Sequence, residues 1–195
     1  MTGLRVIGGS ARGRKLRAVP GDTTRPITDR TKEALFNILG SDLQEASFLD
    51  MFAGTGAVGI EALSRGAGYA RFLELERRAV QTIRQNLETT AIWDPLDRKH
   101  VEIFQGNAFQ ILDTVPDRTF DYIYIAPPQY KGMWKRALEL IDSQPGWMGQ
   151  DAWIIVQIDP IEYESKDFDN LDEFDQRRYG STLLVFYSIK PNKST

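Results

Sequence analysis

At 195 residues and 42% hydrophobic content, the chain can bury a core without disulfide or metal staples, and the expected organisation is one α/β domain, residues 1–195, with residues 1–22 as a small basic N-terminal hairpin. It has no cysteine and one histidine, His100, which excludes disulfides and a Cys/His zinc centre, and no metal site is expected. The net charge is −3, no charge-free apolar run reaches membrane-spanning length, and Met1-Thr2-Gly3-Leu4-Arg5 leads into strand-like sequence, so the expectation is a soluble cytoplasmic protein.

That charge is segregated along the chain. Residues 1–40 hold eight basic residues (Arg5, Arg12, Arg14, Lys15, Arg17, Arg25, Arg30, Lys32) against three acidic ones, a balance of +5 that leaves −8 for the rest. A basic arm on an acidic body suits an anionic polymer held at one end; a solvated basic hairpin gives the same pattern. Leu4–Ile7 and Lys15–Val19 read as two short strands joined across Gly8–Gly13. After a turn at Pro20-Gly21-Asp22, Thr28 is the expected N-cap of a helix through Leu39, with Ala34, Leu35, Ile38 and Leu39 on its apolar face and Gly40 ending it. Arg25 and Arg30 flank that helix start, placed to meet RNA phosphate or a base.

The stretch Leu49 to Leu63 reads as strand, glycine turn and helix. Gly54, Gly56 and Gly59 let the backbone turn sharply, approach a ligand closely and pack the helix on the strand. The pattern also fits dinucleotide binders, with Glu74 at the expected separation. Asp50 discriminates: a carboxylate at the strand end repels a pyrophosphate and attracts the ammonium group of S-adenosylmethionine (SAM). Its alternative role is to cap the turn through backbone N–H groups. Phe52, Ala53 and Thr55 belong to the same turn.

A helix from about Ala57 to Arg65 is followed by the strand Tyr69–Leu75, whose carboxyl end brings Glu74 beside the cofactor to accept both ribose hydroxyls, with Leu75 next to it. Glu76 starts the next helix, whose apolar face is Val80, Ile83 and Leu87. The strand Val101–Gln105 leads to Asn107 and Ala108; Asn107 is suited to the adenine amine or, equally, to an N-cap. His100 reads as a surface or strand-edge residue. After the strand Asp121–Ile125 come Ala126, Pro127, Pro128, Gln129 and Tyr130. Two prolines stiffen the loop and leave carbonyl acceptors, and the aromatic can stack on a base; a rigid turn with a packed ring is the plainer reading. Further on, Met133–Asp142 is helix-like, Ala152–Ile158 a buried strand, Glu162–Asp175 an acidic loop or strand edge, and Phe174–Tyr179 with Thr182–Ile189 a terminal antiparallel pair turning at Gly180-Ser181.

Arg25-Pro26, Thr28-Asp29-Arg30, Glu33 to Leu39, Asp50 to Gly66, Glu74 and Arg178-Tyr179-Gly180 together resemble the RsmD family of small-subunit ribosomal RNA guanine-N(2) methyltransferases. The resemblance implies a class I SAM-dependent methyltransferase fold: a Rossmann-like, seven-stranded, mostly parallel sheet with helices on both faces and an N-terminal hairpin. It also implies SAM as cofactor, transfer to the exocyclic amine of a guanine, and as partner the ribosomal RNA or an assembling small subunit; the chain itself is expected to be a monomer. The family places Asp or Asn before Pro-Pro-aromatic, where this chain has Ala126, and Gln129 intervenes before Tyr130. On one hypothesis the carbonyl of Ala126 or Pro127, helped by the Gln129 amide oxygen, holds the amine while Tyr130 stacks. The competing one is a shifted target or a SAM- and RNA-binding protein without catalysis. A dinucleotide-dependent oxidoreductase is the remaining alternative.

Overall fold

The computed structural model describes residues 4–21, 27–92 and 99–191. Among these residues seven strands, β1 Ser47–Met51, β2 Tyr69–Glu74, β3 Val101–Gln105, β4 Phe120–Ile125, β5 Met148–Ile158, β6 Leu171–Tyr179 and β7 Thr182–Ile189, form one mixed, mostly parallel sheet in the order β3-β2-β1-β4-β5-β7-β6, the expected fold class. Contacts divide the chain into two compact units, Met1–Ala108 and Phe109–Thr195.

In the first unit, α1 spans Asp29–Leu39, β1 Ser47–Met51, α2 Ala57–Ser64, β2 Tyr69–Glu74, α3 Arg77–Thr90 and β3 Val101–Gln105. β1, β2 and β3 are parallel, with Asp50 opposite Phe72 and Glu74 opposite Gln105. Thr28 caps α1 as expected, its hydroxyl accepting from the Thr31 N–H, and Gly40 closes the helix. The face that α1 buries is rotated from the expected one: Thr31, Lys32, Leu35, Phe36 and Leu39 are buried, whereas Ala34 and Ile38 are only half-buried. Val80, Ile83 and Leu87 of α3 are buried as read.

The N-terminal hairpin is not a two-stranded ladder. It has one isolated bridge, Arg5 to Lys15, and a few backbone bonds such as Val6 N–H to the Arg14 carbonyl (2.9 Å). Other backbone groups of the hairpin go to neighbouring elements, Ser10 N–H to the Ser64 carbonyl at 2.7 Å and several more to side chains. Ile7 and Gly8 N–H donate to Glu61, Ala11 N–H donates to Ser64 Oγ, and Arg17 exchanges bonds with the Asn86 amide. A hairpin this short lacks a ladder of its own and is held by α2 and α3 instead.

The short α4, Ala108–Leu112, begins at the last residue of the first unit; in the second unit β4 spans Phe120–Ile125, α5 Met133–Ser143, β5 Met148–Ile158, β6 Leu171–Tyr179 and β7 Thr182–Ile189. β4 and β5 are parallel; β5–β7 and β7–β6 are antiparallel, and Tyr179 faces Thr182 across the expected turn. Trp134, Leu138 and Ile141 of α5 are buried. β5 begins four residues before the expected Ala152, and β6 takes in the acidic residues from Leu171 onward. Its burial alternates, which is how a charged sheet-edge strand appears.

Candidate active site

The glycine turn is built as its spacing demands. Gly54 and Gly56 have φ of 55° and 74°, and Phe52 also adopts the left-handed region at 59°. A Cβ on Gly59 would come within 2.4 Å of the Phe72 ring, so only glycine lets α2 lie this close to β2. A Cβ on Gly54, by contrast, would meet nothing nearer than the Phe52 carbonyl oxygen, at 4.0 Å. The turn is tied by Gly56 N–H to the Ala53 carbonyl (2.7 Å) and by Ala53 N–H to the Leu73 carbonyl (3.1 Å).

Two carboxylates organise this turn. Glu74, half-buried at the end of β2, accepts from Gly54 N–H through Oε2 and from Glu76 N–H through Oε1, each at 2.8 Å. Asp50 is 2% exposed and accepts from Gly59 N–H at 2.9 Å. Burial pushes its carboxyl up to about 8; the Gly59 bond opposes this, and the nearby Glu74 charge adds to it. Asp50 therefore holds backbone, as the capping alternative has it, although it holds the first turn of α2 rather than the glycine loop. Around the turn Ala53 is buried, Phe52 and Thr55 are half-buried, and the Thr55 carbonyl accepts from the Asn86 amide. Leu75 lies just past β2 and is 60% exposed. Asn107, between β3 and α4, is half-buried and Ala108 is buried.

In the second unit, the loop after β4 leaves Ala126 and Pro127 half-buried and Pro128, Gln129 and Tyr130 exposed. Tyr130 sits at φ 61° with 68% of its surface exposed. It is held by two acids. Its N–H donates to Glu162 Oε2 at 2.7 Å, and its hydroxyl to Asp159 Oδ2 at 3.4 Å. The Asp159 charge is the main cause that raises the Tyr130 hydroxyl above its ordinary value. The ring is not packed into a core, which removes the plainer reading of this loop.

Of the basic residues, Arg5, Arg12, Arg14, Lys15, Arg17 and Arg30 are exposed, and Arg5 pairs with Asp29 at 2.9 Å. Arg25 lies outside the described residues. A shallow groove runs beside the hairpin, with Arg5 and Arg12 among its lining and Asp29 and Glu33 opposite in charge. Lys32 departs from the expected arm: it is 1% exposed, its ammonium lies 3.2 Å from Glu61 and donates to the Arg5 carbonyl. Glu61, fully buried, also pairs with Arg65 at 2.8 Å. The contacts of Glu61 with Ile7 and Gly8, of Lys32 with Arg5, of Asn86 with Arg17, and of Asp159 and Glu162 with Tyr130 have no signal in local spacing, because these partners lie 27 to 69 residues away in sequence. Among the described residues no group of three or more His, Asp or Glu could hold a metal ion, and no helix is long and apolar enough to cross a membrane.

Residues 4–188 match the family described as Conserved hypothetical protein 95. The chain belongs to this family. It is 34% identical over 186 residues to "Putative rRNA methyltransferase YlbH" of Bacillus subtilis, covering 94% of this chain and 98% of that protein. It is 35% identical over 154 residues to ribosomal RNA small subunit methyltransferase D of Escherichia coli, covering 79% and 74%. A solved structure described as "Putative methyltransferase yhhF from Escherichia coli" aligns with a TM-score of 0.82 at 31% identity, over 97% of this chain and 99% of that one. The RsmD resemblance carried by the motifs is thus borne out across nearly the whole chain. The fold is also shared with SMU.776, described as a putative methyltransferase complexed with SAH, at a TM-score of 0.62 and 15% identity over 84% of this chain and 50% of that one.

Proposed function

We propose that this chain is a single methyltransferase domain that moves a methyl group from SAM to the exocyclic amine of a guanine in small-subunit ribosomal RNA. The observation that carries the reading is the glycine turn held by Glu74 and the following helix start held by Asp50, in a chain 35% identical to a ribosomal RNA small subunit methyltransferase. These residues suit an adenosyl cofactor. A Cβ at Gly54 would meet nothing nearer than the Phe52 carbonyl oxygen at 4.0 Å, and each Glu74 oxygen, engaged by one N–H, keeps a lone pair for a ribose hydroxyl. Bound SAM supplies an activated methyl group on a good leaving group. Phe52, Ala53, Thr55 and Gly56 shape the turn, Leu75 offers an exposed apolar side chain to an adenine face, and Asn107 and Ala108 complete the cofactor-binding set. A cation beside Asp50 returns its raised carboxyl to the charged form, which favours a sulfonium or ammonium group over a pyrophosphate.

The protein's contribution to transfer is alignment and charge stabilisation. Ala126 brings no side-chain acceptor, so the carbonyls of Ala126 and Pro127, with the Gln129 amide oxygen, accept from the guanine amine and stabilise positive charge developing on its nitrogen. Pro128 keeps the loop stiff, and the open face of Tyr130 stacks on the base. A base reaching such a loop must be unstacked, which favours a loop nucleotide or an assembling particle over a plain duplex. Arg5, Arg12, Arg14, Lys15, Arg17, Arg25 and Arg30 meet RNA phosphate, and the protein works as a cytoplasmic monomer on the small subunit or its RNA. Tyr130→Ala should abolish transfer with SAM affinity retained.

The test is transfer of labelled methyl from SAM to small ribosomal subunits, and separately to their naked RNA, from cells lacking this protein, with the product nucleotide identified by mass spectrometry. Guanine labelled on its exocyclic amine is the expected result. No transfer, with SAM binding intact, would overturn the reading and make Ala126 the mark of a binding protein.

A further inference from the structure

Tyr130 is an aromatic residue in a left-handed backbone conformation, φ 61°, on an exposed loop. Aromatic residues seldom adopt that region, and one persists only where its surroundings impose it. The imposing groups are in the connection between β5 and β6. Asp159 caps the short 3-10 turn Pro160–Glu162, its Oδ1 accepting from Ile161 N–H at 3.1 Å, and the turn carries Glu162. Glu162 Oε2 takes the Tyr130 N–H at 2.7 Å and Asp159 Oδ2 takes the Tyr130 hydroxyl at 3.4 Å. One side chain is thereby fixed at its backbone and at its tip, with its ring left open. Glu162 Oε1 is buried with no hydrogen-bond partner among the described residues, a cost to the resting protein that calls for an explanation beyond packing.

We infer that Glu162, supported by Asp159, is a positioning residue for Tyr130: it holds the ring in the strained conformation from which it stacks on the target base. The inference rests on the methyltransferase reading above. The carboxylate that fixes the Tyr130 backbone comes from 32 residues further along the chain. The side-chain acceptor that matters is the oxygen that receives the Tyr130 N–H, so a glutamine at 162 can keep it and an alanine cannot.

The experiment compares wild type, Glu162→Ala, Glu162→Gln and Asp159→Asn in methyl transfer to small subunits, with kcat, the KM for the subunit, SAM affinity and melting temperature measured on each. Glu162→Ala should lower kcat about tenfold or more, as misplacement of a positioned group does. SAM affinity should stay at the wild-type value. Glu162→Gln should recover most of kcat, and Asp159→Asn, which weakens only the longer contact, should lie between. Wild-type kcat in Glu162→Ala overturns the inference. If Glu162→Ala is too unstable to assay, Glu162→Gln and Asp159→Asn carry the test, and a Glu162→Gln variant that folds yet loses as much as Tyr130→Ala overturns it. Absence of transfer by the wild-type protein would instead be a failure of the methyltransferase reading.

Discussion

Each unit contains a buried carboxylate that latches a distant stretch of backbone, and the two are built differently. In the first, Glu61 on α2 receives Ile7 and Gly8 N–H at 2.9 and 2.7 Å and is flanked by Lys32 and Arg65. In the second, Asp142 on α5 receives Asp169, Asn170 and Leu171 N–H at 3.0, 2.7 and 3.0 Å, which sets the entry into β6. Both replace water around a charged group with backbone donors. They differ in what is orphaned when the carboxylate goes: neutral N–H groups around Asp142, but a buried ammonium at Glu61. Burial pushes the Lys32 amine below its ordinary value, and the Glu61 charge is the main influence holding it up.

The largest effect should follow from breaking the first latch. Glu61→Ala leaves Lys32 uncompensated in the core, and loss of one partner of a buried pair costs about 3–5 kcal/mol. Urea unfolding should show it, and exchange of the Ile7 and Gly8 amides should speed up most. Adding Lys32→Met should recover part of the loss, because the charge is then gone. Equal instability in the double variant would mean that backbone bonds, not the ammonium, dominate. Asp142→Ala should cost about 2–3 kcal/mol, the scale of hydrogen bonds to a charged acceptor, and Asp142→Asn, which keeps one acceptor oxygen, about 1 kcal/mol. A loss in Asp142→Ala as large as in Glu61→Ala would remove the distinction between the two latches.

Asp50 extends the series to a buried carboxyl that, among the described residues, has one backbone donor and no cation beside it. Its folded value of about 8 lies above its ordinary 3.8, so between those pH values the folded chain holds a proton that the unfolded chain has released. The Asp50 contribution is therefore fully present below about pH 4 and is lost as pH rises towards 8. Asp50→Asn should flatten the fall in stability across that window, measured as unfolding free energy at several pH values. SAM should do the same if it sits beside the carboxylate, since binding then stabilises the charged form. An unchanged pH slope in Asp50→Asn would place the carboxyl in a wetter setting.

What could be read from the sequence follows from the range over which each feature is determined. The glycine turn, the Thr28 cap, the Gly40 stop and the terminal pair around Gly180-Ser181 depend on neighbours within a few residues, and all appear as read. The latches do not. Lys32 reads as one more positive charge of a basic arm until α1 turns it inward onto Glu61, 29 positions later. The same partner explains why Ile7 and Gly8 leave no ladder in the hairpin. Glu162, one of the two acids that hold Tyr130, reads as part of the acidic stretch Glu162–Asp175, and nothing around it or Asp159 points to the proline loop.

Thr28 is the control at the bottom of the scale. Its hydroxyl accepts one N–H, from Thr31 at 3.2 Å, and contacts the Thr31 hydroxyl at 2.9 Å, but it carries no charge and the residue is exposed. When Thr28→Ala removes that acceptor, water can take the freed N–H, so the loss should be about 1 kcal/mol, seen as a small drop in the urea midpoint with the unfolding slope unchanged. Asp at this position should restore the cap and add a favourable charge at the helix start. If Thr28→Ala proves as costly as Asp142→Ala, burial and charge are not what rank these acceptors, and local helix initiation by α1 governs the stability of the first unit instead.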